Sequence, residues 1–301
     1  MPVDRAAYRA WDGAARPSAG AVLVSAGAMI RRILRLKLVR WLLGTITIGV
    51  CVFSSVIFTF MREGRANRRV AEVLERLGYE QGSLLAWANR SFWTWIGFWA
   101  VLVAALTGTR LIAEDRRAKA LPLYFSRPVT LLDYVLGKAL TAAFFLAVLL
   151  CLPPVLMYVI DTALSPESVA VSHLPILGRS LLPGLVAVAV LGSLALGVSA
   201  LCEKPSHAAF LFLGLLFVAH VMLPRMLAEH IFDNNDWLAI SPVHCAHRFA
   251  IELLEVPAQV DPDYPGMRAL GFRWAAIGAT LWTALGFGLL VSRIRTVEVV
   301  G

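Results

Sequence analysis

The densest run of chemically capable side chains is His244-Cys245-Ala246-His247. On a helix the two histidines, three apart, share a face. Imidazole and thiolate ligands suit zinc or copper. His230, Asp233 and Asp236 are close enough in sequence to complete a site. The same four residues also suit an ordinary loop helix with polar side chains. That plainer reading is preferred, so no metal is expected. Gly137-Lys138 has the look of the end of a phosphate-binding loop, but Ala139 follows where Ser or Thr is needed. Leu132 stands where that loop requires its first Gly. No serine sits in a Gly-x-Ser-x-Gly elbow, and no carboxylate pair falls within an apolar run. The chain is therefore not expected to hydrolyse ATP, or to be an enzyme at all.

The elements that must carry these residues are apolar. Of 301 residues, 58% are hydrophobic and 16% charged, with mean hydropathy +0.71. A soluble domain of this length needs a more polar surface, so an all-α integral membrane protein is expected. The net charge of +8 then suits loops facing anionic lipid and not nucleic acid. Cys51, Cys151, Cys202 and Cys245 are scattered and imply no disulfide framework. The acidic Asp4 and Asp12 and the late start of the apolar run argue against a cleaved leader.

Six segments are long enough to cross about 30 Å of hydrocarbon: about 39–60, 92–112, 134–160, 181–201, 208–223 and 274–291. With no water to satisfy the backbone, each must be a helix. Together they form one transmembrane domain, 39–301, behind a tail and lead-in, 1–38. With both termini placed in the cytoplasm, 17 basic residues fall inside and 11 outside, which favours that topology. Within the spans, carboxylates, lysines and arginines are nearly missing, and His220 is the main exception. That argues against an ion-coupled carrier, which keeps ionisable groups at the midplane. In the lead-in "MIRRILRLKLVRWLL", Ile30, Ile33, Leu34 and Leu38 share one helical face among arginines. It is read either as a basic helix in the interface plane or as an extension of the first span. Pro153-Pro154 should bend the third span, more as a static bend than as a hinge.

Outside the spans, Val70, Val73, Leu74 and Leu77 recur at helical spacing before Gly78. The segment 224–273 is too polar to span and too long for a turn. Within it a helix should open at Ser241-Pro242, followed by a turn-rich "DPDYPG". The inner loop 113–133 carries Glu114, Asp115, Arg116, Arg117 and Lys119, then Leu121, Leu123, Tyr124 and Phe125. Ala118, Leu121 and Phe125 fall on one face of a short helix. Pro122 should distort it, and Ser126-Arg127-Pro128 should break it. Thr130 can cap the next helix with Asp133 three residues on. So many apolar side chains in a loop mark a docking surface or a membrane contact.

"KALPLYFSRPVTLLDYVLGK" resembles the loop between the second and third helices of ABC-2 type transporter permeases. The matching positions are Glu114, Leu121, Leu123, Tyr124, Phe125, Ser126, Arg127, Pro128, Gly137 and Lys138. The chain departs at Lys119 and Ala120, where Gly and Thr are common, and at Pro122. The branch most similar is NosY-like or multidrug-permease-like. The resemblance implies the six-helix membrane subunit of an ABC exporter, in the cell membrane, with an N-terminal interfacial helix. It implies a dimer of permeases, either homodimer or heterodimer, with separate ATP-binding subunits that hold the ATP and Mg. The loop would be the coupling element. Leu121, Tyr124 and Phe125 would fill a groove on the ATPase, Arg116, Arg117 and Lys119 would match its charge, and Arg127-Pro128 would stiffen the joint. The rival expectation is a non-transporting membrane scaffold that tethers a cytoplasmic partner through the same loop.

Overall fold

The computed structural model describes residues 18–64, 84–121, 124, 130–164, 170–254 and 270–298. Among them are helices and no strand. We number the helices in chain order: α1 Ser18–Leu34, α2 Lys37–Gly64, α3 Leu84–Thr107, α4 Arg110–Arg117, α5 Leu131–Leu150, α6 Leu152–Leu164, α7 Ala170–Leu201, α8 Pro205–Leu216, α9 Pro242–Leu253 and α10 Phe272–Glu298. Five helical stretches are long and apolar enough to cross a membrane, or six if the bent pair α1 and α2 counts as one.

The lead-in does not extend the first span. The chain breaks between Leu34 and Lys37, and the two apolar stretches meet at 89°. A helix set at a right angle to a spanning one fits the interface-plane reading. It packs along α5, with Ser25 against Gly137, where any side chain on the glycine would collide with the Ser25 hydroxyl.

The centre of the bundle is α7, which is 72% buried across its most apolar stretch, against 22% for the α8 stretch and 28% for α10. From Val190 to Ala200 every α7 residue is buried. Helices in lipid gain little from burying apolar surface against one another and rely on close packing of small residues. The tightest seam, α7 against α10, is built that way. A Cβ on Gly197 would meet the Gly286 carbonyl oxygen at 2.6 Å. Of the other glycines on the apolar helices, Gly97 and Gly192 face side chains at 3.7 and 3.6 Å, whereas Gly44 faces open space.

Two irregularities in the helices fall at prolines, although α7 runs unbroken through Pro175 and Pro183. The third apolar helix is interrupted at Cys151, just before Pro153 and Pro154, which cannot donate to the preceding turn. Gly184 of α7 packs on Cys151 and Leu150 at that break. The fifth helix does not stop near 223. It runs through π-type turns at Phe217–Met222 and Met226–Ile231, on either side of Pro224. A π turn re-pairs the carbonyls that proline leaves without a donor. The chain then turns back through a 3-10 turn at Asn235–Ile240 into α9.

The Ser241-Pro242 start holds: Ser241 caps α9 by accepting from the His244 N–H at 3.0 Å, with Pro242 in the first turn. Yet α9 is not an outlying loop helix. It packs against α7, α10 and α3, and buries Cys245, Ala246, Ala250 and Ile251. Trp282 of α10 donates to the Ile240 carbonyl (2.8 Å), and Arg248 to that of Leu270 (2.8 Å), which fixes α9 at both ends. The expected amphipathic helix at Val70–Leu77 and the "DPDYPG" turn lie outside the described residues.

Candidate functional site

The inner loop grows from a set of buried polar contacts that sequence reasoning left almost unmarked. Lys138 lies two turns into α5, inside the third apolar stretch, and is 1% exposed. It corrects the expectation that His220 is the main ionisable group in the spans. A lysine at such a place survives only when paired. Its Nζ lies 2.5 Å from Asp115 Oδ2 and donates to the Leu111 carbonyl at 2.7 Å. The Tyr134 hydroxyl donates to the same Asp115 oxygen at 2.8 Å. The rings of Tyr134 and Tyr124 lie 5.1 and 5.9 Å from the ammonium. Asp115 and Leu111 belong to α4, Tyr134 and Lys138 to α5, and Tyr124 to the loop between them. One ion pair therefore ties together both ends of the loop and its middle.

Further contacts pin α4 from the other sides. Ser199 of α7 donates to the Thr109 carbonyl at 2.6 Å and accepts from the N–H groups of Ile112 and Ala113, each at 3.0 Å. One hydroxyl thus satisfies backbone groups at the α3–α4 junction. Arg116 donates to the Ala200 carbonyl. Glu114 pairs with Arg32 of α1 at 3.1 Å. The capping box on α5 is present as the sequence suggested: Thr130 Oγ1 accepts from the Asp133 N–H, and Asp133 Oδ2 accepts from the Thr130 N–H, both at 3.1 Å.

The loop residues therefore divide. Leu121 is buried, 4% exposed, within its own chain. The expectation that it fills a partner's groove gives way, because its apolar surface is already used against the bundle. Tyr124 is half-buried, its ring 5.3 Å from that of Tyr134. Arg117 and Lys119 are exposed. Arg117 lines an open groove of about 460 Å³ with Arg110, Glu114, Lys204, Pro205 and Ser206. Leu123, Phe125, Arg127 and Pro128 lie outside the described residues. Lys119 adopts φ 50°, the left-handed region that suits glycine. This explains in backbone terms why a Gly is common at that place in the permease loops that this stretch resembles.

At the other end of the bundle the histidine run takes a different form. The His244 ring meets that of His220 edge-on, with centroids 4.4 Å apart. His220 Nδ1 shares a hydrogen bond of 2.8 Å with Ser241 Oγ. The Cys245 thiol donates to the Ala239 carbonyl at 3.2 Å, and burial pushes it up to about 12, so it stays protonated. Burial, then the facing His220, lowers His244 to about 3, and burial lowers His247 to about 4. Among the described residues no group of three or more His, Cys, Asp or Glu side chains comes together to hold a metal. Asp236, which the sequence offered as a ligand, instead accepts from the Gly271 N–H at 3.2 Å.

Across residues 46–250 the sequence matches the family described as ABC-2 family transporter protein. That covers more than half of the chain and includes α3 to α8 and most of α9. The chain belongs to the ABC-2 transporter family. No curated protein matches it. Membership makes it a multi-pass membrane subunit of the ABC transport machinery, a permease and not the catalytic chain. The Lys138–Asp115 cluster lies within the matched region, at the base of the loop.

Proposed function

We propose that this permease moves its substrate outward across the cell membrane by alternating access, driven by a separate ATP-binding subunit that seats on the loop 113–133. ATP and Mg belong to that partner, since no phosphate loop is encoded here. The permease works as a dimer, with both termini in the cytoplasm, and falls in the NosY-like or multidrug-permease-like branch. The observation that carries the reading is the buried tie between Asp115 of α4 and Lys138 of α5. A push on a slack loop is lost in the loop. A push on one whose two ends share a buried ion pair, and whose first helix is bonded to α7 through Ser199, moves the central helix of the bundle.

The docking face then differs from the one expected. Leu121 and Tyr124 anchor the loop from inside, and the exposed Arg117 and Lys119 present charge to the partner. Co-purification of the detergent-solubilised permease with its cognate ATP-binding subunit tests this. Wild type should retain the ATPase, and an Arg117→Glu, Lys119→Glu variant should lose it while keeping its elution volume. Equal retention by both proteins refutes the docking face. A folded wild type that captures a different cytoplasmic partner and no ATPase favours the scaffold reading.

A further inference from the structure

The loop end of the bundle carries more positive charge than its internal ties use. Residues 1–40 hold eight basic residues and two acidic ones, Asp4 and Asp12. Five of the basic ones crowd the elbow between α1 and α2: Arg31, Arg32, Arg35, Lys37 and Arg40, all exposed. Arg32 is paired with Glu114. Among the described residues the other four side chains make no hydrogen bond or ion pair. Even with both aspartates drawn to it, the elbow would keep a net positive charge. Beside Lys37 it leaves a recess of about 160 Å³, lined by Leu36, Lys37, Leu38, Val39, Leu106 and Arg110. One water in the liquid takes roughly 30 Å³, so the recess has room for a phosphate group. Its two cations come from different helices, Lys37 opening α2 and Arg110 opening α4. Arg110 is half-buried, and among the described residues its side chain too has no partner. It also lines a second recess, of about 290 Å³, together with Arg32 of α1. The surface beside these cations is apolar. Leu38 is 62% exposed, and Trp41, one turn further along α2, is 71% exposed. Leu23 and Val24 of α1 are exposed as well.

We infer that the elbow between α1 and α2 binds the headgroup of an anionic phospholipid, its phosphate held between Lys37 and Arg110 and its acyl chains against Leu38 and Trp41. The cations alone would take any phosphate: a guanidinium offers it parallel donors, and an ammonium adds a point charge. The apolar side chains beside them select a lipid. A soluble anion would leave Leu38 and Trp41 in water. At a bilayer surface a tryptophan sits at headgroup level, and basic side chains beside it are drawn to anionic lipid. A choline or ethanolamine head would bring a further cation into a positive elbow, so a head of net negative charge is favoured. The bound phosphate would bridge the start of α2 to the start of α4, one turn ahead of Glu114. It would brace α4 from the lipid side, as Ser199 braces it from α7. The inference stands apart from the direction and the powering of transport.

The test uses the full-length permease in phosphatidylcholine nanodiscs without its ATPase. Rising fractions of phosphatidylglycerol or phosphatidylcholine with dibrominated acyl chains are included, and tryptophan quenching is followed. The difference from Trp41→Phe, made in each background, isolates the Trp41 signal. Half-quenching of Trp41 should need at least fivefold less of the brominated phosphatidylglycerol than of the brominated phosphatidylcholine. Lys37→Ala with Arg110→Ala should bring the two fractions within twofold, and Lys37→Arg with Arg110→Lys should keep the preference. Lys37 is exposed at the first residue of α2, where a glutamate suits the helix. Lys37→Glu therefore serves even if the double alanine variant does not fold, and it should abolish the preference. Equal quenching by the two lipids in wild type, or a fivefold preference kept in Lys37→Glu of unaltered elution volume, overturns the inference. So does a preference erased by inorganic phosphate but not by chloride of equal ionic strength, which would mark a site for a soluble anion.

Discussion

The two ends of the bundle solve the same problem in opposite ways. At the loop end, Lys138, Asp115, Tyr134 and the Leu111 carbonyl satisfy one another in a closed set. At the far end, His220, His244 and His247 stand beside a cavity of about 1060 Å³. A closed polar set is rigid, because every alternative arrangement leaves a charge unpaired. A polar cluster against an open cavity can change partners. The first arrangement suits transmission of force, and the second suits a ligand that comes and goes.

The sharpest way to break the contrast is at the closed end. Lys138→Met leaves Asp115 buried beside no cation, and should cost about 3–5 kcal/mol of stability. Asp115→Leu together with Lys138→Met should recover most of that loss, since replacing a whole buried pair is often neutral. Thermal unfolding in detergent reads both. A single variant as stable as wild type would mean that the pair holds nothing together.

The open end should respond to acid instead. His244 and His247 bind protons less readily in the folded chain than the ordinary 6.5, at about 3 and about 4. An unfolded chain that takes up protons first gains on the folded one as pH falls. The stability linked to these two groups is therefore complete above pH 6.5 and drains away as pH falls toward 4. The slope approaches about 1.4 kcal/mol per pH unit for each histidine. His247→Gln should flatten the decline between pH 6.5 and 5. An unchanged pH profile in that variant would remove His247 from the account.

Smaller changes test the loop's local geometry. Thr130→Ala deletes the hydroxyl half of the capping box and should cost about 1 kcal/mol. A loss confined to the loop end would appear as faster hydrogen exchange at the start of α5, with α9 unaffected. Lys119→Gly relieves a left-handed backbone but frees the unfolded chain. The net gain should stay under about 1 kcal/mol, visible as a small rise in Tm. A fall in Tm would show that the Lys119 side chain makes a contact worth more than the strain.

Sequence reading reached some of this and stopped short of the rest, for identifiable reasons. The capping box at Thr130 and the start of α9 at Ser241-Pro242 were legible because they are local rules within three residues. The end of the fifth helix was misplaced because Pro224 reads as a stop, whereas π turns carry the helix past it. Leu121 was assigned to a partner's groove because an apolar loop residue gives no sign of which surface it will meet. Asp115 and Lys138 lie 23 positions apart. Each was noticed as part of the loop motif, and nothing in the pattern joined one to the other.

The sequence by itself determined the solvent. Its apolar stretches require a membrane, and its caps set where α5 and α9 begin. Those properties follow from neighbours along the chain, through backbone hydrogen bonding and the need to match hydrocarbon. Only the tertiary structure decided that Lys138 meets Asp115, that Ser199 holds α4, and that His220 meets His244 edge-on. Such contacts join residues far apart in the chain. Their energy depends on distance and burial, which no local pattern of residue types encodes.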